Sequence, residues 1–166
     1  NTIVVLISDH GFHVGEKLHW QKGTLWEDGT NVLCMWRVPG MTKPGQLCER
    51  PVSLLDLYPT LVELAGLEKP KRVAGNSLVP LLKDAKASHD HPVVSAYQRH
   101  ASVRTGQYRL IRYSDGAMEL YDCREDPNEW VNLAGKPEHA ERIKKLAEHL
   151  PEFEMRSYVR GKNKDQ

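Results

Sequence analysis

With 166 residues, 40% of them hydrophobic and 27% charged, the chain has the composition of a folded globular protein and not of a disordered one. Its 23 Lys and Arg against 22 Asp and Glu leave a net charge of +1, which gives no reason to expect nucleic acid or an anionic membrane as a partner. The longest apolar run, residues 3–7, falls far short of the ~20 residues that span a bilayer, and Cys34, Cys48 and Cys123 lack the C-x-x-C spacing of a zinc or redox site.

In chain order, the first predicted element is that run: Ile3, Val4, Val5, Leu6 and Ile7 form a β-branched strand apolar on both faces, as in the interior of a parallel sheet covered by helices. The chain enters this strand with neither a Met nor a basic-then-apolar leader. It lacks obvious neighbours for such a strand, so it reads as a fragment of a longer protein. Residues 12–20 have no clean period and read as a loop, 22–27 as a short helix, and 32–38 as a second apolar strand stopped by Pro39 and Gly40. The long connection fits a parallel pair with a crossover, which makes the fold class α/β.

Residues 52–55 read as extended, with Asp56 as the N-cap of a helix through Leu57, Leu61, Val62, Leu64 and Ala65 that Gly66 closes. Asn76 is the expected cap of a second short helix over 77–83. Beyond a polar stretch at 87–91, strands are expected at 93–97, 101–105, 108–113 and 118–122, with turns at Gly106 and at Asp115 and Gly116, the pattern of an antiparallel meander. Residues 137–150 place Ala140, Ile143, Leu146, Ala147 and Leu150 on one helical stripe. The tail from Arg156 is polar and expected to fray. A boundary near residue 88 divides the chain into segments 1–88 and 89–166.

The residues best placed for chemistry follow the first strand. Asp9 and His10 leave its carboxyl end, where open α/β sheets put their ligands, and a carboxylate beside an imidazole suits a divalent metal or an acid/base pair. The alternative is a structural turn in which Asp9 caps local N–H groups. His13, Lys17, His19 and Lys22 share the next loop, and as a cationic group near one carboxylate they fit an anionic ester such as a phosphate or sulfate. Otherwise they are a polar loop held by Trp20 and Trp26. His89 and His91, beside Pro92, read as linker residues.

Several segments resemble the sulfatase family, most closely the branch with iduronate-2-sulfatase and choline sulfatase. They are Ser8-Asp9-His10-Gly11, Gly15-Glu16 with Trp20 and Lys22, Leu25-Trp26-Glu27, and Val38-Pro39-Gly40. Downstream matches are Val52-Ser53-Leu54-Leu55-Asp56-Leu57-Tyr58-Pro59-Thr60-Leu61, Gly75-Asn76-Ser77-Leu78-Val79-Pro80-Leu81-Leu82, Glu119-Leu120-Tyr121-Asp122, and Asp126-Pro127-Asn128-Glu129 with Asn132-Leu133. The resemblance implies the C-terminal part of an alkaline-phosphatase-like parallel-sheet domain followed by a small antiparallel sheet plus helix subdomain.

It also implies hydrolysis of sulfate esters, such as a sulfated sugar, with Ca2+ or another divalent metal and a formylglycine nucleophile. Asp9 and His10 correspond to metal ligands, Lys22 to the catalytic and sulfate-binding lysine, and His19 to a further substrate contact. Lys17 replaces a common His and Asn31 a common Arg, which bears on substrate preference. None of the three cysteine contexts matches the formylglycine motif, so the nucleophile is expected in a missing N-terminal part and the chain alone is expected to be inactive. Family resemblance places such enzymes in the periplasm, the lysosome or outside the cell. Two rival readings are a phosphoester or phosphonate hydrolase of the same superfamily and an autonomous non-enzymatic binding domain.

Overall fold

The computed structural model describes residues 1–153; the expectation for the tail beyond Arg156 lies outside them. Strands β1 (Val4–Ile7) and β2 (Cys34–Arg37) form a two-stranded sheet, but the pairing is antiparallel, with Val4 opposite Arg37 and Ile7 opposite Cys34. The expected parallel pair is therefore corrected. Between the strands the chain makes no packed crossover helix; it runs out and returns along itself. Ser8 N–H donates to Leu33 O (3.1 Å), Gly11 N–H to Gly29 O (3.0 Å), His13 N–H to Gln21 O (3.2 Å) and Gly15 N–H to His19 O (2.9 Å). The excursion is one long irregular hairpin with a single 3-10 turn, Glu16–Leu18, at its tip. Helix α1 occupies Glu27–Thr30 on the returning limb, in place of the short helix expected over 22–27.

The two limbs touch at Gly11, where a Cβ would stand 1.9 Å from the Asp28 carbonyl oxygen, so only glycine allows the approach. Among the described residues β1 is not buried on both faces: Val4 and Leu6, with Met35 of β2, are exposed because this sheet has only two strands.

Asp56 organises the middle of the chain and stands, as expected, at the N-cap of the helix that begins at Leu57, though its side chain makes no cap bond there. Its carboxylate instead accepts the Ser53 N–H at 2.8 Å in a capping box for the preceding turn, whose N-cap Ser53 accepts the Leu55 N–H at Oγ. A 3-10 turn, Leu54–Asp56, then leads into α2 (Leu57–Leu64). The other Asp56 oxygen accepts the Asn76 N–H at 2.7 Å. Asn76 is thus held by its backbone and caps nothing; α3 (Val79–Lys83) follows.

His89 belongs to this core and is not a solvated linker residue. It is 7% exposed, and its Nε2 lies 4.0 Å from Asp56 Oδ2. Burial pushes its pKa below the ordinary histidine value, with Asp56 opposing in part. The unfolded chain therefore binds a proton that the folded one resists. The stability His89 contributes is complete above about pH 6.5 and is lost as pH falls through that value toward the folded pKa. Unfolding midpoints should drop between about pH 7 and about pH 5, and His89→Gln should flatten part of the slope; an identical slope in the variant would exclude His89 as its source.

The meander follows expectation. Strands β3 (Val93–Tyr97), β4 (His100–Arg104), β5 (Tyr108–Arg112) and β6 (Met118–Asp122) pair in sequence order, all antiparallel. The β3–β4 turn, Gln98 and Arg99, takes positive φ at both residues, the geometry of a two-residue hairpin without the usual Asn-Gly signal. A 3-10 turn, Pro137–His139, leads into α4 (Ala140–Ala147). Leu146 and Leu150 bury against Ala101, Val103, Leu110 and Leu120 on one face of the sheet, each worth ~1.5–3 kcal/mol of burial. The opposite face, through Ile111 and Tyr121, packs on Leu25 and Trp26 of the hairpin excursion. The second sheet therefore braces the loop that carries the candidate site.

Candidate functional site

Asp9 and His10 emerge directly after β1. The His10 ring is oriented by Nδ1, 2.9 Å from Gly11 O. A carbonyl only accepts, so Nδ1 carries the proton and Nε2 presents a lone pair. Lys22 Nζ stands 3.2 Å from that Nε2, and Asp9 Oδ2 stands 3.8 Å from it. Residues separated by a dozen positions meet because the excursion closes on itself through His13 and Gln21. Next to Lys22, Gly23 lies under the Tyr97 ring, so close that a Cβ would be 3.0 Å from it; its φ of +87° also favours glycine. The Asp9 side chain is 88% exposed and opens, with His10, onto a cleft of about 1550 Å³.

The other loop cations are held elsewhere, so the expected cluster of four separates. Lys17 Nζ donates to the Glu129 carbonyl and to Tyr121 Oη, and stands 4.9 Å from the Trp26 ring centre and 4.6 Å from that of Tyr121. It is a structural cation in an aromatic cage. The His19 ring packs edge-on against Trp26 at 5.1 Å, with its Nδ1 3.2 Å from the Lys17 carbonyl. His13 is buried. Asn31 donates to Glu27 Oε1 at 3.1 Å. Asp9, His10 and Lys22 are the expected site residues that the structure brings together.

A second group ties this site to the four-stranded sheet. Arg109, 2% exposed, donates through Nε to Glu129 Oε1 (2.6 Å), through Nη1 to Leu25 O (3.0 Å) and through Nη2 to Glu27 Oε2. Glu129 Oε2 accepts the Glu27 N–H at 2.9 Å, the first residue of α1. Alongside, Glu119 Oε2 accepts from Trp26 Nε1 (2.7 Å) and from Tyr121 Oη (2.9 Å). Burial and the Glu119 carboxylate raise the Tyr113 and Tyr121 phenols above their ordinary range. Burial pushes the Cys123 thiol up to about 11, so it remains protonated and is no nucleophile at neutral pH. The signal for this network was a charged residue, Arg109, inside a strand that is otherwise apolar on its buried faces.

Residues 15–156 match the family model described as N-sulphoglucosamine sulphohydrolase, C-terminal. A sulfatase of Formosa agariphila is 38% identical over 152 residues, covering 91% of this chain and 30% of the relative. Among solved structures, BT4656 in complex with its substrate D-glucosamine-2-N,6-O-disulfate superposes with a TM-score of 0.75 at 31% identity, over 89% of this chain and 33% of that one. The phosphonate monoester hydrolase SpPMH of Silicibacter pomeroyi gives a TM-score of 0.73 at 27% identity, over 89% and 33%. The chain thus spans about a third of the length of the relatives it matches.

Proposed function

The chain belongs to the sulfatase family, matching its C-terminal part within the alkaline-phosphatase-like superfamily, and we propose that it supplies the metal- and sulfate-binding end of a sulfuric ester hydrolase. The observation that carries this reading is the convergence of the Asp9 carboxylate, the bare Nε2 of His10 and the Lys22 ammonium at the end of β1.

These residues fit a divalent cation. The Asp9 carboxylate is open, and His10 is already locked in the tautomer that ligates through Nε2. Asp9 and His10 would hold the ion, with the oxygen of Asp9 the better ligand if it is calcium. Bound there, calcium would neutralise charge on the nonbridging ester oxygens. Lys22 has a different role. Once His10 Nε2 is committed to a metal, the Lys22 ammonium loses that acceptor and is free to donate to a sulfate oxygen. It also counters the charge growing on the leaving oxygen, where a preorganised donor acts most strongly.

The nucleophile, a formylglycine in the family's chemistry, is proposed to lie in the remainder of the enzyme, because no cysteine here has the required motif. The exposed apolar residues of β1 and β2 fit burial against that remainder. A sulfated sugar is the proposed substrate class, from the likeness to BT4656.

The test is sulfate release from D-glucosamine-2-N,6-O-disulfate by the complete enzyme and by the 166-residue chain, beside a phosphonate monoester. The complete enzyme should release sulfate and the chain alone should release none above a mock preparation. Sulfate release by the chain alone would refute the placement of the nucleophile. A preference of the complete enzyme for the phosphonate would instead group it with the phosphonate hydrolases.

A further inference from the structure

One cluster on the same hairpin has no role in the site just described. His13 is 0% exposed, yet its Nδ1 has no hydrogen-bond partner. Its Nε2 lies 2.6 Å from the Thr24 hydroxyl. Asp28 Oδ2 lies 3.9 Å from Nδ1. One ring nitrogen of His13 and one carboxylate oxygen each of Glu16 and Asp28 lie within 4.8 Å of one another.

A separation of 3.9 Å is too long for a hydrogen bond. Leaving a buried imidazole nitrogen unsatisfied costs free energy, and if Nε2–H donates to Thr24, the bare lone pair of Nδ1 faces the Asp28 carboxylate. A shared cation removes both penalties. Two donors bonded at ~2.0–2.2 Å to one tetrahedral ion stand about 3.3–3.6 Å apart, so Nδ1 and Asp28, at 3.9 Å, need to close by only a few tenths of an ångström to share one. The Thr24 contact supplies the outer hydrogen bond that fixes a ligating imidazole in its tautomer. Glu16 is oriented by the Val14 N–H, which donates to its Oε2 at 2.7 Å.

We propose that His13, Glu16 and Asp28 form a second metal site, separate from Asp9 and His10, for a first-row divalent cation of the zinc type. One imidazole with two carboxylates selects such an ion over calcium, which takes oxygen ligands. The three residues come from the outgoing limb, the tip and the returning limb of the excursion. An ion there clamps both limbs and steadies the segment that presents Lys22.

The test is a count of bound metal, independent of sulfatase activity. The complete protein is stripped with chelator, saturated with calcium and titrated with Zn2+ by equilibrium dialysis with elemental analysis. Wild type should bind one zinc per chain that both His13→Gln and Asp28→Asn weaken by about tenfold or more, while His10→Gln retains it. Wild-type uptake no greater than that of His13→Gln would overturn the proposal and leave a plain pair between His13 and Asp28. Zinc lost with His10→Gln but kept in His13→Gln would also overturn it. Should His13→Gln fail to fold, Asp28→Asn decides, since its carboxylate is partly exposed; wild-type zinc affinity in that variant removes the site.

Discussion

Replacing Lys22 by alanine in the complete enzyme is expected to lower kcat/KM about 10²- to 10³-fold, a loss of ~2.7–4 kcal/mol of transition-state stabilisation, by analogy with deleting one preorganised donor. The side chain is exposed in this chain, and an exposed lysine ordinarily contributes little. What sets Lys22 apart is its anchorage: the next residue, Gly23, is fixed beneath Tyr97. That hold does not depend on His10 Nε2, so the lysine stays beside the cleft lined by Asp9, His10 and Gly23 when that nitrogen is given to a metal. The loss should appear in kcat, because the interaction strengthens as charge develops on the leaving oxygen. A near-wild-type rate in steady-state assays would remove Lys22 from the chemistry.

Arg109→Met is expected to destabilise the protein by about 3–5 kcal/mol, the cost of removing one partner from a buried ion pair. The methionine roughly fills the volume but strands Glu129, which is 1% exposed, while Glu27 keeps Arg104, whose Nε lies 3.5 Å from its Oε2. Burial already raises the Glu129 pKa, with Arg109 working against that effect. Without the guanidinium the carboxyl should protonate or the surrounding turn should open. Adding Glu129→Gln to Arg109→Met should recover part of the loss, because the two residues share hydrogen bonds and their effects cannot add independently. Denaturant unfolding of both variants checks this; a cost below about 1 kcal/mol for Arg109→Met would mean that the network is not closed as described.

The meander and its helix were legible because each strand has a local signature. Short strand segments bounded by Gly106 and the Asp115-Gly116 turn set the register, and the stripe through Ile143 and Leu146 sets the helix face. The first sheet was misread for a physical reason. A long connection between two apolar strands normally implies a crossover, but here glycine contacts and backbone hydrogen bonds zip the limbs together, and no residue pattern announces pairing as irregular as Gly11 with Gly29.

The site was legible in part. Asp9 and His10 were visible from their place at a strand end, and Lys22 from the resemblance. That Lys17 and His19 face aromatic rings was not, because one loop contains four cations and sequence does not say which way each turns. The bridge from Arg109 to Glu27 and Glu129 joins residues far apart in the chain, and single-residue patterns carry no such pairing.

The most direct test of the proposed site is a calcium titration of kcat/KM for the complete enzyme, with wild type, Asp9→Ala and Lys22→Ala compared. Removing a metal-ligand carboxylate weakens binding of the ion, whereas removing a sulfate contact does not. The expected result is an Asp9→Ala defect that shrinks as calcium rises, beside a Lys22→Ala curve that runs parallel to wild type at a lower rate. An Asp9→Ala defect indifferent to calcium would contradict the assignment of Asp9 and His10 to the metal.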